Sequence, residues 1–448
     1  MISNLSSVLM DQNVLLIVCD TLRKDVMQLY GGEAKTPYIN TLAKDSMVYD
    51  NAIAPSPWTF PSHVSLFTGF YPSEHRIHET RTMKVEHLRD EHKMLAKERL
   101  AEYFRLRDYN TIGISNNLMV SRFTHFDLGF KYFTNIESSP WSHSEITMEA
   151  RHLGASVSQV VKQLAKTGSF HKIPTYAKEF MRVGRYAKAV NYPVNKGAEL
   201  TNELLMNSSL RSPFFLFVNF WELHEPYVGW NEKEILDNLT GIRHISEKKV
   251  AFLKNQYVIE AEFLDSNIGR LIEMLKLRNL YDNTMIILTS DHGQEFNENG
   301  FMTHGIYLHD QISRIPLIVK YPNGKKFKAK KGYQSLVHIP RLIKETLEGG
   351  DDSAATEKVV FAEAFGNTEG VPKSYTHRMD YLSNKYEKVR KAVYKDGYKL
   401  TINGTDGIIE EFMEGNKRLN PKQNKKILNG LIDEIDEFKG GRNFILPK

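Results

Sequence analysis

Four continuous apolar runs stand out along the chain: "NVLLIVC" (Asn13 to Cys19), "PFFLFVNF" (Pro213 to Phe220), "NTMIILTS" (Asn283 to Ser290) and "IPLIVKYP" (Ile315 to Pro322). Each is short and flanked by polar sequence, the pattern of strands covered on both faces. Helical periodicity lies between them. In "AEFLDSNIGRLIEMLKLRNL" (Ala261 to Leu280) the residues Phe263, Leu264, Ile268, Leu271, Ile272 and Leu275 share one stripe. Strands alternating with helices predict an α/β fold around a mostly parallel central sheet. After about Gly349 the texture changes to "KVVFAEAF" and "RKAVYKDGYKLTING", which predict a smaller antiparallel sheet, and from Pro421 a charged helical tail. The expected division is an α/β catalytic domain over 1–349 and an α+β subdomain over 350–448.

Three of the strands end in chemically suggestive residues. Asp20 follows the first, His224 lies just beyond the second, and Asp291 and His292 close the third. Ligands of open α/β sheets bind outside the carboxyl ends of the strands, so these side chains are expected to converge. Taken singly, each Asp also suits a turn or a helix cap. As a set, two carboxylates and an imidazole suit a divalent cation.

"SPWTFPSHVSLFTGFYP" (Ser56 to Pro72) predicts a helix with Thr59 as its N-cap and Pro61 in its first turn. Free N–H groups at that end would face an incoming anion. A threonine hydroxyl is a weak nucleophile at its ordinary pKa, and a metal ion can activate it without a neighbouring base. The competing reading is a threonine that only caps its helix.

The charge of +5 is too small to imply nucleic acid and equally suits an anionic small substrate. Cys19 is the single cysteine, so intramolecular disulfides and a Cys-based zinc site are excluded. No run approaches the roughly 18 apolar residues of a membrane span, and no export signal is visible, so a cytoplasmic location is expected. Arg151 to Lys196 is rich in Lys and Arg, with Glu179 its one acid. It reads as a basic helical insertion or cap, either a solvated face or a patch for an anion or a peripheral contact with anionic membrane lipid.

Together "LIVCDTLRKD", "PSPWTFPSHVSLFTGFYPSEHRIHE", "LHEPY", "DNTMIILTSDHGQEF", "THGIYLHDQISRIPLIV" and "RKAVYKDGYKL" resemble the sulfatase-type branch of the alkaline phosphatase superfamily. The resemblance runs in the family's order from about Asn13 to Leu400. It implies a metal-dependent hydrolase or transferase of sulfate or phosphate esters. Asp20, Asp291 and His292 match family metal ligands, with Thr59 at the nucleophile position also contributing an oxygen. His224 matches an anion-contacting histidine. His304 stands where sulfatases place a substrate-contacting lysine or two-metal relatives place a ligand.

Departures from the family pattern sharpen this expectation. Sulfatases begin the helix with Cys-x-Pro-x-Arg, or Ser in the cysteine's place, and oxidise that residue to formylglycine; here the stretch is Thr59-Phe60-Pro61-Ser62-His63. Oxidising a threonine would give a ketone. Thr21 replaces the second acid of an Asp-Asp pair, which favours Mn²⁺ or Zn²⁺ over Ca²⁺. One divalent cation is expected, with a second admitted if His224 or His304 contributes to it. Threonine at position 59 is similar to members that cleave phosphodiesters or phosphonate monoesters through a phosphothreonine. A sulfatase, a phosphotransferase to an acceptor alcohol and a non-catalytic anion-binding relative are the alternatives. His63, which replaces a supporting arginine, either orients phosphoryl oxygens or packs within its helix. His75 is a candidate for contact with the anion, as are Asn116 and Asn117 after the strand "NTIGIS"; helix-end and turn roles are the other readings.

Overall fold

The structure is a computed structural model that describes residues 12–78, 91–136, 193–328, 331–366, 373–438 and 444–447. The strands of the main sheet are β1 (Asn13–Cys19), β2 (Met47–Ile53), β3 (Asn110–Ser115), β4 (Tyr132–Asn135), β5 (Phe214–Phe220), β6 (Thr284–Thr289), β9 (Arg314–Lys320) and β10 (Gln334–Ser335). A small hairpin of β7 (Glu295–Phe296) and β8 (Met302–Thr303) stands apart from them. Across the sheet the order is β10-β2-β9-β6-β1-β5-β3-β4. Its neighbours pair in parallel except at β9, which runs antiparallel to both β2 and β6.

The exception has a local cause. Parallel strands need a long crossover between them. The connection between β6 and β9 has the length for one but holds only loops, the hairpin and the one-turn helix Asp310–Ser313, with no helix to cover the sheet, and "IPLIVKYP" runs back against β6.

All seven residues of β1 and of β5 are buried, as continuous apolar runs require. Alternate residues feed two cores. Leu15, Ile17, Leu216, Val218, Ile286 and Leu288 pack with Leu264, Ile268, Leu271 and Leu275 of one long helix, Glu247–Leu277. Val14, Leu16, Val18, Phe215, Phe217 and Ile287 pack on the other face with Phe60, Val64 and Phe67 of the helix Thr59–Thr68. Each such side chain contributes about 1.5–3 kcal/mol by leaving water.

The long helix starts fourteen residues before the apolar stripe suggests, at a Ser246 N-cap whose side chain accepts from Lys249 N. It stops short of Leu280 because Asn279 turns to a φ of 55°. Beyond Gly349 the strands β11 (Val359–Ala364), β12 (Arg390–Lys395), β13 (Tyr398–Asn403), β14 (Ile408–Glu414) and β15 (Lys417–Arg418) form an antiparallel sheet in that order. The helix Lys425–Glu437 packs on it through Leu428, Leu431 and Ile435. No described helix is long and apolar enough to cross a membrane. Of the basic segment Arg151 to Lys196, all but the last four residues lie outside the described residues.

Strand register is what places the chemistry. Cys19 lies opposite Phe220 and Val18 opposite Thr289, so β1, β5 and β6 end level with one another. The loops carrying Asp20, His224 and Asp291 therefore leave the sheet at the same edge.

Candidate active site

Asp20, Asp291 and His292 are wholly buried, and one ligand-capable atom of each lies within 4.8 Å of the others. Asp291 Oδ1 accepts from the backbone N–H groups of Thr21 and His292, at 3.1 and 2.9 Å. Asp20 Oδ2 accepts from Asn117 Nδ2 at 2.5 Å. The remaining oxygens, Asp20 Oδ1 and Asp291 Oδ2, are buried without a hydrogen-bond partner. His292 Nδ1 is 2.9 Å from the Gly293 carbonyl, to which it donates. This leaves His292 Nε2 bare, 4.0 Å from Asp20 Oδ1 and 3.4 Å from Asp291 Oδ2.

Three lone-pair atoms thus face one another, with the Thr59 hydroxyl a donor near them, 3.3 Å from His292 Nε2. A buried cluster of that kind is costly by itself and fits a divalent cation. Burial, reinforced by the mutual repulsion of the two carboxylates, pushes Asp20 up to about 7; burial likewise pushes Asp291 up to about 7 against its two backbone N–H donors. Thr21 adjoins the group at a φ of 60°, a strained setting for a β-branched residue, and its hydroxyl is buried without a partner.

Thr59 is the first residue of its helix, not the cap. Trp58 occupies the cap position in extended conformation, and no side chain caps the helix. The Thr59 hydroxyl is free for other contacts and lies 3.4 Å from Asp20 Oδ2 and 3.3 Å from His292 Nε2. The rigid placement follows from packing, since all ten residues of the helix are buried and Gly69 ends it in the left-handed conformation.

A second group adjoins the first. One atom each of His224, Glu225 and His304 also lie within 4.8 Å of one another, and the His304 ring centre is 4.5 Å from that of His292. Here the hydrogen bonds close internally. Glu225 Oε1 accepts from Thr303 Oγ1 at 2.9 Å and Oε2 from Gln294 Nε2 at 3.0 Å. His224 Nδ1 meets the Glu225 carbonyl at 2.7 Å, and His304 Nδ1 meets Gln294 Oε1 at 2.7 Å. Burial opposes ionisation of Glu225, but the charges of His224 and His304 outweigh it and hold its carboxyl down at about 2. Both histidines are slightly exposed, which makes this the open side of the site.

Among the other candidates, His63 borders the group, with Nδ1 3.5 Å from Asp291 Oδ2. His63 points inward: Nδ1 donates to the Thr59 carbonyl at 2.9 Å, and Nε2 accepts from Asn219 Nδ2 at 3.2 Å. Burial pushes its pKa down to about 3, so it supports the helix start as a neutral ring. His75 accepts from Ile77 N through Nδ1 and meets Ser65 Oγ through Nε2, so it packs along the helix rather than at Thr59. Asn116 Oδ1 accepts from Thr201 Oγ1 at 3.2 Å, and its neighbour Asn117 is the one that reaches Asp20. Successive residues leaving a strand point to opposite sides, and here the site falls to the second of the pair. Sequence reasoning singled out neither Glu225 nor Gln294, although both lie inside the quoted motifs "LHEPY" and "DHGQE".

The sulfatase family's sequence profile matches residues 12–346. Among curated proteins, the uncharacterized sulfatase YidJ of Escherichia coli K12 is 22% identical over 341 residues, covering 70% of this chain and 63% of its own length. An ulvan-active sulfatase of Formosa agariphila is 24% identical over 330 residues, covering 70% of this chain and 57% of its own. The chain thus spans less than two thirds of either relative. Among solved structures, the phosphonate monoester hydrolase of Agrobacterium radiobacter shares the fold with a TM-score of 0.61 at 15% identity, over 95% of this chain and 94% of that one. A 2-O GAG sulfatase does so with a TM-score of 0.63 at 15% identity, over 96% and 92%. With a profile match that runs through β1, the threonine helix and both histidine loops, the chain belongs to the sulfatase family.

Proposed function

We propose that this protein hydrolyses phosphodiesters or phosphonate monoesters through a covalent intermediate on Thr59. One observation carries the reading: the Thr59 hydroxyl caps nothing and instead points at Asp20 and His292. Asp20, Asp291, His292 and Thr59 would hold one divalent cation. Two carboxylates, one imidazole and one hydroxyl, with Thr21 where the family places a further acid, favour Mn²⁺ or Zn²⁺ over Ca²⁺. A bound cation lowers the pKa of the hydroxyl and offsets charge on the group being transferred.

The chain's own atoms and solvent account for the proton transfers. Thr59 Oγ1 attacks phosphorus, its hydrogen passes to Asp20 Oδ2, and the bond from phosphorus to the leaving oxygen breaks. That oxygen takes a proton from solvent. The bare Nε2 of His224 or His304 then accepts a proton from the attacking water and returns it to solvent; the bond from Thr59 to phosphorus breaks, and Thr59 recovers its hydrogen from Asp20. Acid–base work of this kind typically contributes about 10²–10⁴-fold.

Hydrogen-bond accounting favours the first group as the place of the single cation. Asp20 Oδ1 and Asp291 Oδ2 have no partner, whereas every oxygen of the Glu225 carboxylate and both Nδ1 atoms of the second group already have one. Metal analysis should return one ion per chain; two would move a cation to His224, Glu225 and His304.

A sulfatase is the second reading, favoured by the Formosa relative, an ulvan-active sulfatase. A panel of aryl sulfate, phosphate monoester, phosphodiester and phosphonate ester with Mn²⁺, Zn²⁺, Ca²⁺ and Mg²⁺ separates the two. The phosphorus diester or phosphonate should turn over fastest, and dominance of the sulfate would reject the proposal.

A further inference from the structure

Gln294 lies two residues beyond His292 and is fully buried. Its backbone carbonyl accepts from Arg23 Nη1 at 3.0 Å, which fixes the start of the side chain. Its amide stands between two groups of the open side, with Nε2 3.0 Å from Glu225 Oε2 and Oε1 2.7 Å from His304 Nδ1. A carboxylate offers only acceptors, so the amide can meet Glu225 only through its NH₂. That orientation leaves the amide oxygen for His304. An oxygen can only accept, so the imidazole must supply the hydrogen from Nδ1.

The polarity is therefore set along the whole chain of contacts, from His304 through Gln294 to Glu225. Thr303, the residue before His304, anchors the other end by donating to Glu225 Oε1 at 2.9 Å. His292 and His224 show the same Nδ1 arrangement, but their acceptors are the backbone carbonyls of Gly293 and Glu225. Of the three rings, His304 is the one whose tautomer depends on a side chain.

We propose that Gln294 is a positioning residue that keeps the hydrogen of His304 on Nδ1, so that Nε2 is the nitrogen presented to the ester. The proposal rests on the reading of His304 as a proton-handling group in the proposed function. Which ring nitrogen is free is set by the hydrogen bond of the other. Without the amide oxygen the ring loses that constraint. Loss of such an outer partner typically costs on the order of 10–100-fold in activity.

The test is a long-range ¹H–¹⁵N correlation spectrum of histidine-labelled protein, metal-free and loaded with Zn²⁺, with the His304 signals assigned by their loss in His304→Gln. Wild-type protein should show His304 with a hydrogen on Nδ1 and a bare Nε2. In Gln294→Met, hydrogen should appear on Nε2 of His304 while the His292 and His224 signals stay in place, and kcat should fall by about 10–100-fold at full metal loading. Gln294→Glu keeps an acceptor beside Nδ1 and should keep the tautomer, which maintains the test if the methionine variant fails to fold. A wild-type His304 with its hydrogen on Nε2, or an unchanged tautomer in Gln294→Met, would overturn the proposal. A switched tautomer with unchanged kcat would uphold the hydrogen-bond assignment and reject instead the role given to His304 in catalysis.

Discussion

Removing the cation should expose a steep coupling between pH and metal affinity. In the metal-free protein Asp20 and Asp291 both sit near 7, against an ordinary aspartate value of 3.8, because burial disfavours the charged forms and, at Asp20, the neighbouring carboxylate adds to it. A cation needs both carboxylates ionised, so below that value each must release a proton on binding. With two carboxyls near 7, lowering the pH from about 8 to about 6 should weaken the apparent affinity for Mn²⁺ by about 100-fold, or roughly 2.7 kcal/mol. Calorimetric titration of metal-free protein in buffers of different ionisation enthalpy measures both the affinity and the number of protons released. The number should rise toward two at the acid end and fall toward zero above about pH 8. An affinity that stays flat over this range, with no proton release, would show that these two carboxylates do not hold the cation in the way described.

Three further outcomes follow from the same geometry. Thr59→Ala should lower kcat by roughly 10³-fold or more while Thr59→Ser keeps substantial activity. Because Thr59 caps nothing, a thermal melt of the alanine variant should show less than the roughly 0.5–2 kcal/mol loss of a removed cap. The raised carboxyl pKa values make the metal-free protein most stable below the unfolded value of 3.8, and that contribution is lost as pH rises through about 7. Within the range where the protein stays folded, the Tm of metal-free protein should therefore drop between about pH 5 and pH 8, and added cation should restore it at the upper end. Thr21→Asp would place a third carboxylate at a buried, unpartnered position, so it should destabilise metal-free protein and raise the affinity for Ca²⁺ relative to Mn²⁺, both readable by titration and melting.

The sheet was legible because its strands are covered on both faces. "NVLLIVC" coincides with β1, and the ends of the runs at Cys19, Phe220 and Ser290 already marked the edge where Asp20, His224 and Asp291 gather. Strand direction was not legible at β9, since an apolar run looks the same read either way and only the connection, which holds no crossover helix, decides. The first side-chain group was visible because each member adjoins a strand end. The open side was only half visible. Glu225 and Gln294 act through hydrogen bonds that join loops distant in sequence, and loop side chains carry no periodic signal. The threonine helix shows the same limit: its existence followed from Pro61 and the apolar run, yet the shift of Thr59 by one place, from cap to first helical residue, is what frees its hydroxyl.

The central claim is the covalent role of Thr59, and a rapid-quench experiment reaches it directly. Protein loaded with Mn²⁺ is mixed with an aryl phosphodiester, stopped in acid within a turnover, digested, and the peptide carrying residue 59 is weighed and fragmented. The account predicts an unmodified threonine in resting protein and a phosphoryl ester on Thr59 during turnover, formed and discharged fast enough to carry the measured rate. A peptide that remains unmodified throughout turnover, with Thr59→Ala retaining near-normal kcat, would contradict it.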